Sequence, residues 1–236
     1  MRIMAQISLY IALTAFTASP LFADQLIANG TFEAGTLAGW TTTNAGSGSW
    51  YDAMGTTSPI SGRPTAGPAS GTYYALTDQS GPGAHALAQT FTLTGGNALL
   101  SFDMFVNNFD GGTFCGNGLS YTSGVEECGR ADILSAGATA FDTGSGVVEN
   151  LFQGSDTPID ISHPYTPYTF NLSGLVPGTY QLRFAEADNQ GTFNMGVDNV
   201  SLTTLAATPE PSSFLLLGTG LLSCVGIGLR RFGTGM

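Results

Sequence analysis

The sequence predicts an all-β chain: one β-sandwich of jelly-roll type over residues 24–207, set between an N-terminal segment, 1–23, and an apolar C-terminal segment, 208–236. Three observations carry that expectation. Short stretches of alternating apolar and polar residues recur through the middle of the chain, turns bearing glycine and proline separate them, and no window repeats its apolar residues at helical spacing. The 33 glycines and 11% aromatic residues suit many short strands around a core, and that aromatic content separates the chain from disordered acidic proteins.

At the N-terminus, Arg2 gives a short positive region, 7–17 is an apolar run, and PLFA at 20–23 places a small residue before Asp24. That is the layout of a cleaved export signal. The run is short for a bilayer crossing, and Pro20 interrupts a helix there. The chain is therefore expected to be exported.

Seven stretches then read as strands. GTYYALT (71–77) is followed by TFTLT (90–94), which puts Phe91 and Leu93 inward, and by SFDMFV (101–106), which puts Phe102, Met104 and Val106 on one face. RADILS (130–135), PYTFNL (167–172), TYQLRF (179–184) and NMGVDNVSL (194–202) complete the set, with Tyr180, Leu182 and Phe184 sharing a face. SGPG (80–83), TGGN (94–97), FDGG (109–112) and VPGT (176–179) supply turns between them.

Charge narrows the partners. Six arginines and no lysine stand against 17 acids, a formal net charge of −11. Such a surface repels phosphate backbones and excludes nucleic acid as a partner. Cys115 and Cys128 flank GNGLSYTSGVEE, whereas Cys224 lies in the apolar tail. In an exported chain the first two are expected to form a disulfide, because zinc needs more His and Cys partners than the chain supplies and a cysteine nucleophile needs a paired histidine.

Catalytic signals are thin. His85 and His163 are the only histidines and read as loop or strand-edge residues, and no nucleophile elbow, zinc-helix motif or phosphate loop occurs. AFDTGSG (140–146) has the look of an aspartic-protease loop but lacks the second copy that chemistry requires, so it reads as a glycine-rich turn. Thr90, Thr92 and Thr94 read as the solvated face of a strand. Trp40, Trp50, Tyr51, Tyr73 and Tyr74 read either as a sugar-stacking platform or as core. Residues 184–199, rich in Asp, Asn and Gln, are the foremost candidate for a polar site on a loop.

The C-terminal segment has three parts: Pro209, Glu210 and Pro211; 17 uncharged residues over 213–229; and Arg230 with Arg231. As a helix the middle part reaches roughly 25 Å, and the arginines snorkel to complete a crossing of about 30 Å with their charge on the cytoplasmic side. Each proline disfavours helix in the residue before it, so the Pro-Glu-Pro stretch is extended and accessible. This order of parts resembles the PEP-CTERM sorting signal of exported bacterial proteins. The resemblance implies recognition by an exosortase, a membrane transpeptidase, after a transient stay in the inner membrane facing the periplasm. It also implies a final place at the cell surface or in the extracellular matrix of biofilm-forming cells. Some libraries label the same tail after ice-binding proteins.

The domain opens LIANGTFEAGTLAGW (26–40) and closes MGVDNVSL (195–202). This resembles galactose-binding-like jelly rolls, among them many carbohydrate-binding modules. The resemblance implies a structural calcium held by Glu33, Asp198 and carbonyls of 29–31, in keeping with calcium's demand for several hard oxygens. The expected function is a non-catalytic binding or structural module acting on exopolysaccharide. A polysaccharide hydrolase on the same fold is the alternative, and ice or surface adhesion is a weaker one.

Overall fold

The structure is a computed structural model that describes residues 23–95, 97–109, 115–116, 118–154 and 161–204. The export signal at 1–23 (apart from Ala23), the sorting residues Pro209, Glu210, Pro211, Arg230 and Arg231, and the apolar span 213–229 lie outside the described residues. Among the described residues no helix is long and apolar enough to cross a membrane.

Ten strands follow one another: β1 (Thr41–Gly46), β2 (Ser49–Ala53), β3 (Tyr74–Asp78), β4 (Gly83–Leu93), β5 (Ala98–Asn108), β6 (Glu127–Ser135), β7 (Val147–Gly154), β8 (Thr166–Asn171), β9 (Gly178–Asp188) and β10 (Phe193–Thr204). They form two five-stranded antiparallel sheets, ordered β1-β4-β9-β6-β7 and β2-β3-β10-β5-β8. The expected β-sandwich is what the chain forms. Every expected strand lies on one of these ten, and the inward residues are the expected ones: Phe91, Leu93, Phe102, Met104, Val106, Tyr180, Leu182 and Phe184 share one buried cluster. Three strands escaped the sequence reading because they sit at sheet edges. β1 and β7 alternate only between exposed and half-buried positions, so neither shows a clean apolar face.

Both outer faces are partly covered by loops. On the first sheet, Ala84, Ala86, Ala185 and Ala187 pack against Leu119, Tyr121, Ala140 and Phe141. On the second, Tyr74, Leu76 and Phe105 pack against Ala66 and Tyr165. Small residues on the first sheet let the covering loops sit close, which is why alanines at every second position do not signal a weak strand here.

The Cys115–Cys128 disulfide is formed, with its Cα atoms 5.0 Å apart. It ties the 115–126 loop to the start of β6, beside the alanine-lined face that Leu119 and Tyr121 cover. A closed loop of 13 residues contributes about 3 kcal/mol through the unfolded chain. The Cys115→Ser, Cys128→Ser double variant is therefore expected to unfold at lower urea concentration by that amount, with the m-value read alongside for changes in the denatured state.

The aromatic platform is not present as such. Trp40, Trp50 and Tyr74 are buried core residues, while Tyr51 and Tyr73 are half-buried. Thr90 and Thr92 do lie on the solvated side of β4, where Thr92 meets the Thr179 hydroxyl at 3.2 Å. The AFDTGSG stretch is a turn in which Asp142 Oδ1 accepts from the Gly144 amide at 2.7 Å.

Candidate functional site

The strand register builds the site. Along β9, Leu182, Phe184, Glu186 and Asp188 alternate onto the inner face, so the core gives way to two acids at the strand's end. Glu186 lies opposite His85 of β4 and Gly129 of β6; Asp188 lies opposite Gly83 and Glu127. His85, Glu127, Glu186 and Asp188 are all completely buried. Gln79, just beyond β3 on the facing sheet, closes the layer by donating its Nε2 to Asp188 Oδ2 at 2.5 Å.

Each member has a distinct environment. Asp188 Oδ1 accepts the amides of Gln190 and Gly191, which shapes the β9–β10 turn. Glu127 Oε1 accepts the Gln190 amide as well, at 2.8 Å. His85 Nε2 donates to the Ser47 carbonyl at 2.8 Å and lies 3.8 Å from Glu186 Oε1. Burial pushes the imidazole's pKa down, opposed by the Ser47 bond and the Asp188 charge, so the ring favours its neutral form. Neither oxygen of Glu186 has a hydrogen-bond partner. Burial first, and then the charges of Asp188, Glu127 and Asp78, hold its carboxyl well above the usual carboxylate range.

Above this layer an open cavity of about 650 Å³ is lined by residues 61–63, 79–82 and 189–192. Its lining is hydroxyls, amides and glycines, with Arg63 as the charged group. The Arg63 guanidinium carbon sits over the Phe109 ring, 5.0 Å from its centroid, within the range of a cation–π contact. Asn189 fixes one rim, since its Nδ2 donates to the carbonyls of Tyr121 and Gly124 while its Oδ1 accepts from the Glu126 amide. Asp78, on the other face of β3 from Gln79, holds the second rim by accepting the Ser61 amide at 2.9 Å.

Several site expectations change in this setting. His85 is not a strand-edge residue but a buried one, because β1 and the turn at Ser47 cover β4 there. The polar segment 184–199 does supply the cavity, through 189–192, but Glu186 and Asp188 point inward beneath it. Glu127 was not singled out by the sequence, whereas the inward parity of FAEAD in β9 was a readable signal for Glu186 and Asp188.

Glu33 and Asp198 are brought to one stretch of backbone. Glu33 Oε1 accepts the amides of Thr72 and Tyr73, at 2.8 and 2.9 Å. Asp198 Oδ2 accepts those of Ala69 and Ser70, and its Oδ1 accepts that of Asn199. Burial raises the Asp198 pKa, opposed by these amides. Both carboxylates therefore cap the 69–73 loop. Among the described residues no three His, Cys, Asp or Glu side chains converge as a ligand set for a metal.

Residues 207–231 match the family described as the PEP-CTERM protein-sorting motif. The chain carries a PEP-CTERM sorting signal. Such a motif marks an exported protein, as the sequence led us to expect. No curated protein sequence matches the chain. Among solved structures the PEP-CTERM chain is similar to TmCBM61, determined in complex with beta-1,4-galactotriose, at 10% identity and a TM-score of 0.49 over 77% of this chain and 99% of that one. It is also similar to the K3 adhesin domain of Lys-gingipain from Porphyromonas gingivalis, at 18% identity and a TM-score of 0.48 over 77% and 99%. A third similar structure, described under CBM4 structure and function, shows 15% identity and a TM-score of 0.40 over 76% and 99%.

Proposed function

We propose that this is an exosortase-sorted extracellular protein whose β-sandwich binds a neutral polysaccharide in the cavity between residues 61–63, 79–82 and 189–192. One observation carries the reading: an open cavity of about 650 Å³ lined by amides, hydroxyls and a cation in contact with an aromatic ring. Hydroxyl-rich ligands ask for such convergent donors and acceptors. The formal net charge of −11 disfavours an anionic polymer and leaves a neutral one. The sorting motif at 207–231 supports transient anchoring and processing at the membrane before the protein reaches the matrix.

A non-catalytic role fits the burial of the acids. Glu127, Glu186 and Asp188 lie beneath the cavity with no exposed surface, so they do not meet a glycosidic bond placed in it. The test is retention of the full-length protein on an array of neutral and acidic polysaccharides, with reducing-sugar release followed in parallel. Retention without release is expected. Arg63→Ala should weaken it about tenfold or more, since a hydrogen bond from a charged group contributes about 1.5–3 kcal/mol. Sugar release would favour a hydrolase instead, and retention unaffected by Arg63→Ala would move the site elsewhere.

A further inference from the structure

The cavity lies between two crossings of the chain from one sheet to the other. Residues 79–82 carry it from β3 to β4, and residues 189–192 carry it back from β9 to β10. The bond from Gln79 Nε2 to Asp188 Oδ2 ties the two crossings at their base. Above that tie the 189–192 wall belongs to neither sheet, so its position depends on what grips it from outside.

Asn189 supplies most of that grip. Its backbone amide donates to the Glu126 carbonyl and its Oδ1 accepts the Glu126 amide, both at 3.0 Å. Its Nδ2 donates to the carbonyls of Tyr121 at 3.0 Å and Gly124 at 2.7 Å. Gln190 Nε2 takes the remaining place on Oδ1, at 2.8 Å. Both hydrogens and both lone pairs of the Asn189 amide group are therefore committed, and none is left for a ligand. Every loop partner of Asn189 lies between Cys115 and Cys128, in the loop their disulfide closes. Neither cysteine lines the cavity. The far end of the wall is held separately, by the Phe109 amide on the Thr192 carbonyl at 2.9 Å.

Resting on the glycan reading of this cavity, we propose that ligand binding there is under redox control. The Cys115–Cys128 disulfide sets the 189–192 wall through Asn189, a positioning residue, and its reduction weakens binding at a site the cysteines do not touch. The co-reactant is an external dithiol. Its thiolate attacks one sulfur, the S–S bond breaks, and Cys115 and Cys128 end as two thiols. The dithiol gives up two electrons and two protons and closes to its own disulfide. Opening the ring returns conformational freedom to the loop, which then holds Asn189 for only part of the time. Apparent affinity falls by the fraction of time the wall is in place.

The test compares the full-length protein in mild detergent, oxidised and reduced with dithiothreitol, well below its unfolding midpoint on the array of neutral polysaccharides. Retention is expected to weaken about tenfold on reduction, the loss for a wall in place about a tenth of the time. Asn189→Asp keeps the size but replaces both donors by acceptors. It should bind as weakly as the reduced protein and lose nothing more on reduction, whereas Arg63→Ala should still respond to the reductant. Loss on reduction of equal size in all three proteins would report general destabilisation and overturn the proposal, as would retention that ignores the reductant. Hydrogen exchange reads the wall without a ligand. The amides of Asn189, Gln190 and Gly191 should exchange about tenfold faster on reduction, while those of Leu182 and Phe184 in β9 stay protected. Should Asn189→Asp fail to fold, this measurement on the unaltered chain decides. If neither form is retained on the array, the glycan reading fails by itself and exchange alone judges the link: faster exchange confined to the wall supports it, and unchanged exchange overturns it.

Discussion

Arg183→Met is expected to lower the stability of the sandwich by about 3–5 kcal/mol, read as a lower urea midpoint. Arg183 is the largest completely buried side chain, on the outer face of β9. Its Nη1 donates to the carbonyls of Ala140 and Asp142, at 2.9 and 2.7 Å, and its Nη2 pairs with Asp132. Burial pulls the guanidinium pKa down, opposed by Asp132, whose carboxylate compensates the buried charge. Methionine fills the space but takes from Asp132 one of its two arginine partners, leaving Arg130 and Asn150, and leaves two loop carbonyls without a donor. Net stability of a domain is about 5–15 kcal/mol, so a loss of this size removes a large part of it. Replacing the ionic group as a whole, with Arg130→Met and Asp132→Leu added, should cost less, because no buried charge is then left with part of its compensation removed. Equal losses in the single and triple variants would refute this account.

The second large effect belongs to Gly30. A Cβ there would fall far inside van der Waals contact distance of the Val200 carbonyl oxygen, a backbone atom with nowhere to move. The same approach carries the bond from the Val200 amide to the Gly30 carbonyl, at 2.8 Å. Gly30→Ala is expected to cost about 3 kcal/mol, through the steric push and the weakened bond together. Thermal unfolding of the full-length protein measures it, and a midpoint within a degree of the native one would rule out this role for the glycine. The residues around it form one clasp. Asn29 Nδ2 donates to the carbonyls of Thr36 and Ala38, the Trp40 indole donates to the Asn29 carbonyl, and Phe32 lies 5.7 Å from the Trp40 ring. The opening motif is thus accounted for by packing, with Glu33 capping the 69–73 loop.

Strands with one buried and one solvated face were legible because that contrast is written into adjacent residues. TYQLRF shows it, and Tyr180, Leu182 and Phe184 all enter the core. TTTNAG of β1 does not, since an edge strand there meets the core on neither face. The polar cavity was half legible. Its 189–192 wall lies in a segment whose composition already marked it, but Arg63 and Phe109 come together from 46 residues apart. Nothing local to either residue announces that contact.

Export and sorting are properties the sequence determined alone, because a sorting motif is a run of neighbouring residues and is matched as such at 207–231. The sandwich class and its inward faces were likewise local, resting on side-chain alternation and turn chemistry. What only the tertiary structure decided is which distant groups meet. The register of β4, β6 and β9 lays His85, Glu127, Glu186 and Asp188 side by side, although about a hundred residues separate the first from the last. Strand alternation says that a side chain points inward; only strand pairing says what it finds there.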